Sequence, residues 1–130
     1  MRDFRKYDVW NKGIVFGKTT DGLAARLPQS ERYGLINQTQ RAAVSISSNI
    51  AEGCSRSSEK DFARFIEIAM GSAFEVESQL YLCNELEYFT EHEIIPVFSE
   101  LTIIQKQLNS LYQKLTFSSQ QQKANSINKK

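Results

Sequence analysis

The single histidine of this 130-residue chain, His92, limits the enzyme chemistry that the sequence can support. A di-iron site in a helical bundle needs a Glu-x-x-His pair on each of two helices, but Phe89 stands three residues before His92. Helical ribonucleases of the toxin type place an arginine a few residues before the histidine, whereas the nearest upstream arginine here is Arg64. Nucleophilic catalysis would require His92 to lie in a cleft, and its place at the start of a predicted helix favours an exposed position. We therefore expect no enzyme activity, metal site or cofactor.

A polar cluster on the second predicted helix is the most informative set of side chains. Its members are four, four and three residues apart and so share one helix face: Arg41, Ser45, Asn49 and Glu52. Buried polar groups are costly unless they are paired, and the partners predicted on the third helix are Arg64, Glu67 and Glu75. We interpret the cluster as interhelical hydrogen bonds that fix register, or as contacts to another subunit. A ligand or catalytic site and a nucleic-acid contact stay open as alternatives.

Gly71 and Ser72 lie in the middle of the third predicted helix. Glycine is unfavourable inside a helix, so its presence indicates that another group approaches the backbone closely. The interpretation we favour is a helix crossing at Gly71, with a ligand contact as the alternative.

Basic residues are concentrated at the two ends of the sequence. Residues 1–27 carry six basic and three acidic side chains, and residues 101–130 carry five lysines and no acid. Residues 59–100 carry two basic and ten acidic side chains, so the chain is not a general polyanion binder. A phosphate-binding surface is predicted on the first helix. Its residues are Arg2, Arg5, Lys6, Lys12, Lys18 and Arg26.

The elements that must position these side chains are four helices, since apolar residues recur at helical spacing throughout the chain. The first is predicted over residues 4–27, with a buried face made of Phe4, Tyr7, Trp10, Ile14 and Gly17. The second begins with Ser30 as its N-cap and ends at Gly53, where glycine readily adopts the left-handed conformation. Short turns make neighbouring helices antiparallel. The sequence therefore predicts an all-α, antiparallel up-down-up-down four-helix bundle.

The third and fourth helices have the clearest apolar seams and helix-start signals. Ser58 with Asp61, and Thr90 with Glu93, are predicted capping boxes. The seam of the third helix comprises Phe62, Phe65, Ala69, Ala73, Val76, Leu80 and Cys83, while Phe74 and Leu82 lie off it. The seam of the fourth comprises Ile94, Val97, Leu101, Ile104, Leu108, Leu111 and Leu115. We expect a bundle domain over residues 1–117 and a disordered polar tail over residues 118–130.

The cellular setting is predicted from absent signals and from the cysteines. The N-terminus lacks the apolar stretch of a signal peptide, and no apolar run approaches the length of a membrane span. Cys54 and Cys83 are expected to stay reduced as structural thiols. Cytoplasmic residence without membrane contact is the expectation.

Three stretches of this sequence resemble a known family: Val9-Trp10, GLINQTQRAAVSISSNIAEG over residues 34–53, and FARFIEIAMGSAFEVESQL over residues 62–80. The chain resembles the four-helix bundle proteins encoded within intervening sequences of bacterial 23S ribosomal RNA genes. The resemblance covers about residues 4–116 and implies a ring-like homopentamer without enzyme activity. A related accessory protein of diversity-generating retroelements binds RNA and a reverse transcriptase through a positively charged surface.

The resemblance also implies roles for individual residues. The family's motif positions correspond to architecture and subunit contacts, and here they are Arg41, Ser45, Asn49, Glu52, Gly53, Gly71, Ser72 and Glu75. Ser47 stands where the family usually has proline, which implies a straighter second helix.

Two functional hypotheses follow from these features. The first is a non-enzymatic, self-assembling scaffold that contacts structured RNA or a ribonucleoprotein through its basic N-terminal surface. The second is a protein-interaction adaptor that binds its partner through the acidic stretch at residues 85–93, with no role for nucleic acid.

Overall fold

The structure is a computed structural model that describes residues 2–128. Within that range it contains four α-helices: α1 spans Asp8–Ala24, α2 spans Asn37–Cys54, α3 spans Glu59–Glu85 and α4 spans Glu91–Asn128. A 3₁₀ turn at Phe4–Lys6 precedes α1. A second 3₁₀ turn at Gln29–Glu31 and a π-helical turn at Arg32–Ile36 connect α1 to α2.

The four helices form the predicted antiparallel up-down-up-down bundle. Each helix packs against its sequence neighbour, and α1 also packs against α4 to close the bundle. Gln107 on α4 donates a hydrogen bond to Asp8 at the start of α1, whereas Glu93 at the start of α4 pairs with Arg26 just after α1. These two contacts show that α1 and α4 are antiparallel and lie side by side.

The predicted apolar seams of α3 and α4 are confirmed. All seven seam residues of α3 are buried, and in α4 only Leu111 is partly exposed. Phe16 from α1 and Phe62 from α3 are completely buried among them. Burial of a side chain of this size contributes about 1.5–3 kcal/mol to folding, so the shared core holds the helices in place.

Local capping signals were also predicted correctly for these two helices. The Ser58 hydroxyl accepts a hydrogen bond from the backbone N–H of Asp61 at 3.1 Å. At the start of α4, Thr90 and Glu93 form a reciprocal capping box, in which each side chain accepts a hydrogen bond from the other residue's backbone N–H. Such caps satisfy N–H groups that have no partner inside the helix.

The predicted buried face of the first helix is confirmed only in part. Phe4, Tyr7 and Trp10 are partly buried and pack against the core, but Ile14 is 47% exposed. The fully buried residues of α1 are Val9, Gly13, Phe16, Thr20 and Ala24. The cause of this difference is Tyr7, whose extended backbone separates the 3₁₀ turn from α1. A helical period counted from Phe4 through Tyr7 therefore does not continue into α1.

Two predicted boundaries of the second helix need correction. Ser30 lies inside the 3₁₀ turn and does not cap α2, which begins only at Asn37 after the π-helical turn. Gly53 is not left-handed, since no glycine of the described residues has a positive φ. It lies inside α2, and a Cβ atom there would come within 2.9 Å of Phe62 Cδ1 and Phe65 Cβ. Gly53 is therefore a point of close contact between α2 and α3.

The fourth helix is longer than predicted. It continues beyond Phe117 to Asn128, so the segment predicted to be disordered is helical as far as the structure describes it. Its last buried apolar residue is Leu115. The boundary of the bundle domain at residue 117 stays a prediction. No helix among residues 2–128 is both long enough and apolar enough to cross a membrane.

Candidate interaction surfaces

The structure brings two members of the predicted polar cluster, Ser45 and Asn49, together with Ser72 between α2 and α3. The Ser72 hydroxyl donates a hydrogen bond to Ser45 Oγ at 2.8 Å. Asn49 Nδ2 donates to the same hydroxyl at 2.8 Å and to the Ser45 carbonyl at 2.7 Å. Because Ser45 and Ser72 lie on different helices, their hydrogen bond links α2 to α3 at one register.

The other polar members lie outside this network. Glu52 pairs with Arg56 one turn later at 2.9 Å, and both side chains are partly exposed, so the pair contributes little to stability. Arg41 and Glu75 are exposed. The hydrogen bonds between α2 and α3 in the described residues do not involve the predicted partners Arg64, Glu67 and Glu75, because Ser72 takes that role.

The helix crossing predicted at Gly71 is wrong for the single chain. A Cβ atom built at Gly71 would meet no described atom within 4 Å outside the local helix. Gly71 is exposed, and Ser72 beside it is buried. The backbone at Gly71 is therefore open to an approaching molecule.

Apolar side chains lie on the same side of α3 as Gly71. Ile68 and Leu82 are two seven-residue repeats apart, with Glu75 midway, so the three lie along one side of the helix. Ile68 is 46% exposed, Leu82 is 50% exposed and Leu86 is 45% exposed. We call this surface the α2/α3 face; its residues are Arg41, Ile68, Gly71, Glu75, Leu82 and Leu86.

Four of the six predicted phosphate-binding residues make contacts within the chain. Arg5 pairs with Asp3 at 3.0 Å, Lys12 pairs with Asp8 at 3.3 Å, and Arg26 pairs with Glu93. Arg2 donates a hydrogen bond to the carbonyl of Arg56 at 2.8 Å and lies over the Phe62 ring. Lys6 and Lys18 are exposed and form no ion pair with the described residues.

These contacts also lower the pKa values of the acidic partners. Hydrogen bonds from Arg26 and Thr90 lower the pKa of Glu93 from its ordinary value of 4.5 to about 2. Hydrogen bonds from Gln107 and Lys12 lower the pKa of Asp8. The basic residues of the N-terminal region are thus partly neutralised by their own chain.

A second basic region lies where the first and last helices meet. A groove of about 890 Å³ runs between the start of α1 and the C-terminal half of α4. Tyr7, Leu111 and Phe117 provide its apolar surface, and Lys106 and Lys114 provide its charge. Lys106, Lys114 and Phe117 are not among the residues predicted from the sequence. The run of residues 101–130, which carries five lysines and no acid, is a signal for the two lysines, and no sequence pattern indicates Phe117.

Fold and surfaces together define an all-helical four-helix bundle. Groups of three or more His, Cys, Asp or Glu side chains that would suit a metal ion do not occur among residues 2–128. Residues 5–110 match the family described as 23S rRNA-intervening sequence protein. The chain belongs to that family.

A solved structure supports this assignment. The chain is similar to a protein of unknown function from the S23 ribosomal protein family of Bacteroides thetaiotaomicron VPI-5482, with 28% sequence identity and a TM-score of 0.75. The similarity covers 80% of this chain and 97% of that one. No curated protein matches the chain.

Proposed function

We propose that this protein is a non-enzymatic oligomeric scaffold. Copies of the chain assemble through the α2/α3 face, and basic residues of the N-terminal region contact structured RNA or a ribonucleoprotein. The observation that carries the proposal is the alignment of two half-exposed apolar side chains, Ile68 and Leu82, along one side of α3, with half-exposed Leu86 directly after the helix.

A second copy of the chain is a suitable occupant of the α2/α3 face. Apolar side chains grouped on one surface are typical of protein contacts, and the open backbone at Gly71 permits close approach. Arg41 and Glu75 have opposite charges, and neither forms an ion pair with residues 2–128. They are therefore available to pair between copies. The five-subunit ring implied by the family resemblance is our specific proposal for the assembly.

Three features support an RNA contact. The family is described by its relation to intervening sequences of 23S ribosomal RNA, and the similar solved structure is from a family named after a ribosomal protein. In this chain Lys6 and Lys18 are exposed without an ion pair among the described residues, so both are free to contact phosphate groups.

The assembly is tested by light scattering coupled to size-exclusion chromatography. Ile68→Lys and, separately, Leu82→Lys are expected to reduce the particle mass towards that of a single 14.9 kDa chain. Ile103→Lys is the matched control, because Ile103 on α4 is 47% exposed and lies outside the α2/α3 face. Circular dichroism verifies that each variant is folded. A wild-type protein that elutes as a monomer would refute the scaffold.

The RNA contact is tested on the same wild-type particle by titration with ribosomal RNA fragments at several salt concentrations. We expect binding that weakens as the salt concentration rises, because phosphate contacts release counterions. If the particle assembles but shows no salt-sensitive RNA binding, the proposed scaffold stands and the proposed RNA contact is wrong.

A protein adaptor is the second candidate function. The turn between α3 and α4 exposes Glu85, Glu87 and Glu91 together with Leu86, which suits a basic partner protein. An affinity experiment that recovers a protein partner equally well before and after ribonuclease treatment would favour the adaptor. Loss of that partner in a Glu85→Gln/Glu87→Gln variant would place the contact at this turn.

A further inference from the structure

The groove between α1 and α4 combines aromatic, amide and basic side chains. Phe117 is 63% exposed at its edge. Gln113 and Asn109 bring amide groups to the same surface, and Lys106 and Lys114 bring positive charge. Exposed rings next to cations are the combination by which proteins hold unpaired nucleic-acid strands.

The charge around the groove favours an anionic occupant. No acidic residue follows Glu100 in the sequence, so the whole C-terminal half of α4 contributes only positive charge. The Asp8 carboxylate contacts the groove residue Gln107, from which it accepts a hydrogen bond at 2.9 Å. The same carboxylate pairs with Lys12 at 3.3 Å. Lys106 and Lys114 themselves form no ion pair with residues 2–128.

We infer that the α1/α4 groove binds a single-stranded segment of RNA. Phosphate groups contact Lys106 and Lys114, and an unstacked base lies on the ring of Phe117. This inference rests on the proposed RNA contact and adds a site for an unpaired segment to the basic N-terminal surface already proposed. A single strand fits better than a duplex, because the faces of bases are covered by their neighbours in a duplex and are free to stack on a ring only in an unpaired strand.

An acidic peptide would satisfy the two lysines equally well, so the ring is the distinguishing feature. A π-face stacks with any base, whereas a peptide carboxylate gains nothing from it. Phe117→Leu keeps an apolar side chain at this exposed position and removes the π-face. The position contributes little to the core, since Leu115 is the last buried apolar residue of α4, and the variant is expected to fold.

The test uses fluorescence anisotropy with a labelled RNA strand of mixed sequence, compared with the same strand annealed to its complement. Phe117→Leu is expected to weaken single-strand binding by about 5- to 100-fold, the range of one lost base stack, and to affect the duplex much less. Lys106→Gln/Lys114→Gln is expected to lower the slope of log affinity against log salt by about 0.7 per lysine.

Lys6→Gln/Lys18→Gln is the matched comparison, because it removes the same charge from the proposed N-terminal RNA surface and leaves the groove unchanged. This pair is expected to weaken single-strand and duplex binding alike, whereas Phe117→Leu weakens mainly single-strand binding. If this pair weakens binding while the groove variants bind as the wild type does, the groove is wrong and the proposed RNA function stands. If the wild type binds neither strand nor duplex, the RNA function fails with the groove. If Phe117→Leu binds normally but the groove lysines matter, the base stack is rejected. Equal competition by an acidic peptide would also overturn the assignment to RNA.

Discussion

Gly53 shows how a single residue determines the spacing of two helices. A Cβ atom there would lie 2.9 Å from Phe62 Cδ1 and from Phe65 Cβ, closer than such atoms normally approach. The Cβ atom of Phe65 is fixed to the backbone of α3, so the clash cannot be relieved by a rotamer change of that side chain. The close contact of α2 with α3 therefore requires glycine at this position.

We predict that Gly53→Ala lowers the free energy of unfolding by about 1–3 kcal/mol, the usual cost of adding a methyl group to a packed core. Urea denaturation followed by circular dichroism measures the change. The matched control is Gly17→Ala in α1, away from the α2/α3 face, where the new methyl group meets no described atom within 4 Å. Alanine is the better helix former by about 1 kcal/mol, so Gly17→Ala is expected to stabilise the chain. Equal destabilisation by both substitutions would contradict the argument.

At this scale the sequence identified important residues more reliably than their roles. Gly53 was recognised, but its expected left-handed conformation was wrong because the determining contact comes from Phe62 and Phe65 on the next helix. Ser45 and Ser72 were both singled out, yet their hydrogen bond to each other was not predicted. The register between two helices determines which of their polar side chains meet. The spacing of residues along the sequence does not determine this register.

At the scale of the element, the start of α4 combines a cap and an ion pair at one carboxylate. Glu93 accepts hydrogen bonds from the backbone and the side chain of Thr90. It also pairs with Arg26, which lies just after α1. One residue thus caps α4 and links it to the α1–α2 connection.

This arrangement predicts a dependence of stability on pH. The folded-state pKa of Glu93, about 2, lies below its ordinary value of 4.5. Its ionised form is therefore favoured by folding, and the stabilisation is complete above about pH 4.5 and is lost as the pH falls towards 2. In Glu93→Gln the midpoint of thermal unfolding is expected to be lower at neutral pH and to decrease less between these pH values.

Thermal unfolding followed by circular dichroism across this pH range provides the measurement. Glu91→Gln is the control, because it removes the same charge from the same helical turn without removing an ion pair seen in the structure. If both variants lose stability in acid as steeply as the wild type, the ion pair with Arg26 does not contribute.

Elements were predictable where local signals decide the structure. The capping residues of α3 and α4 and the seams that follow them depend on spacings of three and four residues, which the sequence states directly. The segment between α1 and α2 was not predictable in this way. Its π-helical turn changes the number of residues per turn at Arg32–Ile36, so a regular period from Ser30 does not locate the start of α2.

At the scale of the whole molecule, the packed part of the chain ends before its last helix does. Leu115 is the last buried apolar residue, whereas α4 continues to Asn128. We predict that a chain ending at Phe117 unfolds at a urea midpoint close to that of the full chain, because the removed residues contribute no buried apolar side chain among those described. A chain ending at Ser110, which also lacks Leu111 and Leu115, is the contrasting variant and is expected to lose several kcal/mol. A large loss on ending at Phe117 would show that the final turns belong to the bundle.

The candidate surfaces were only partly predictable from the sequence, because they depend on packing between helices that are far apart in the chain. The charge of residues 101–130 was evident, but the groove exists because α4 packs beside the first helix, about a hundred residues away in the chain. The basic residues of the first helix were easier to notice, yet most of them make contacts within the chain. Long-range packing thus determines which charges are available to a partner.

The direction of α4 gives the bundle an electrical polarity along its length. Glu85, Glu87 and Glu91 lie at the end where α4 begins, and Lys106 and Lys114 lie towards the other end. In a ring with cyclic symmetry every subunit points the same way along the rotation axis. Wherever the helices run along that axis, their polarities would add, so the proposed ring would have one acidic and one basic opening. A polyanion would then be attracted to one side of the particle and repelled from the other.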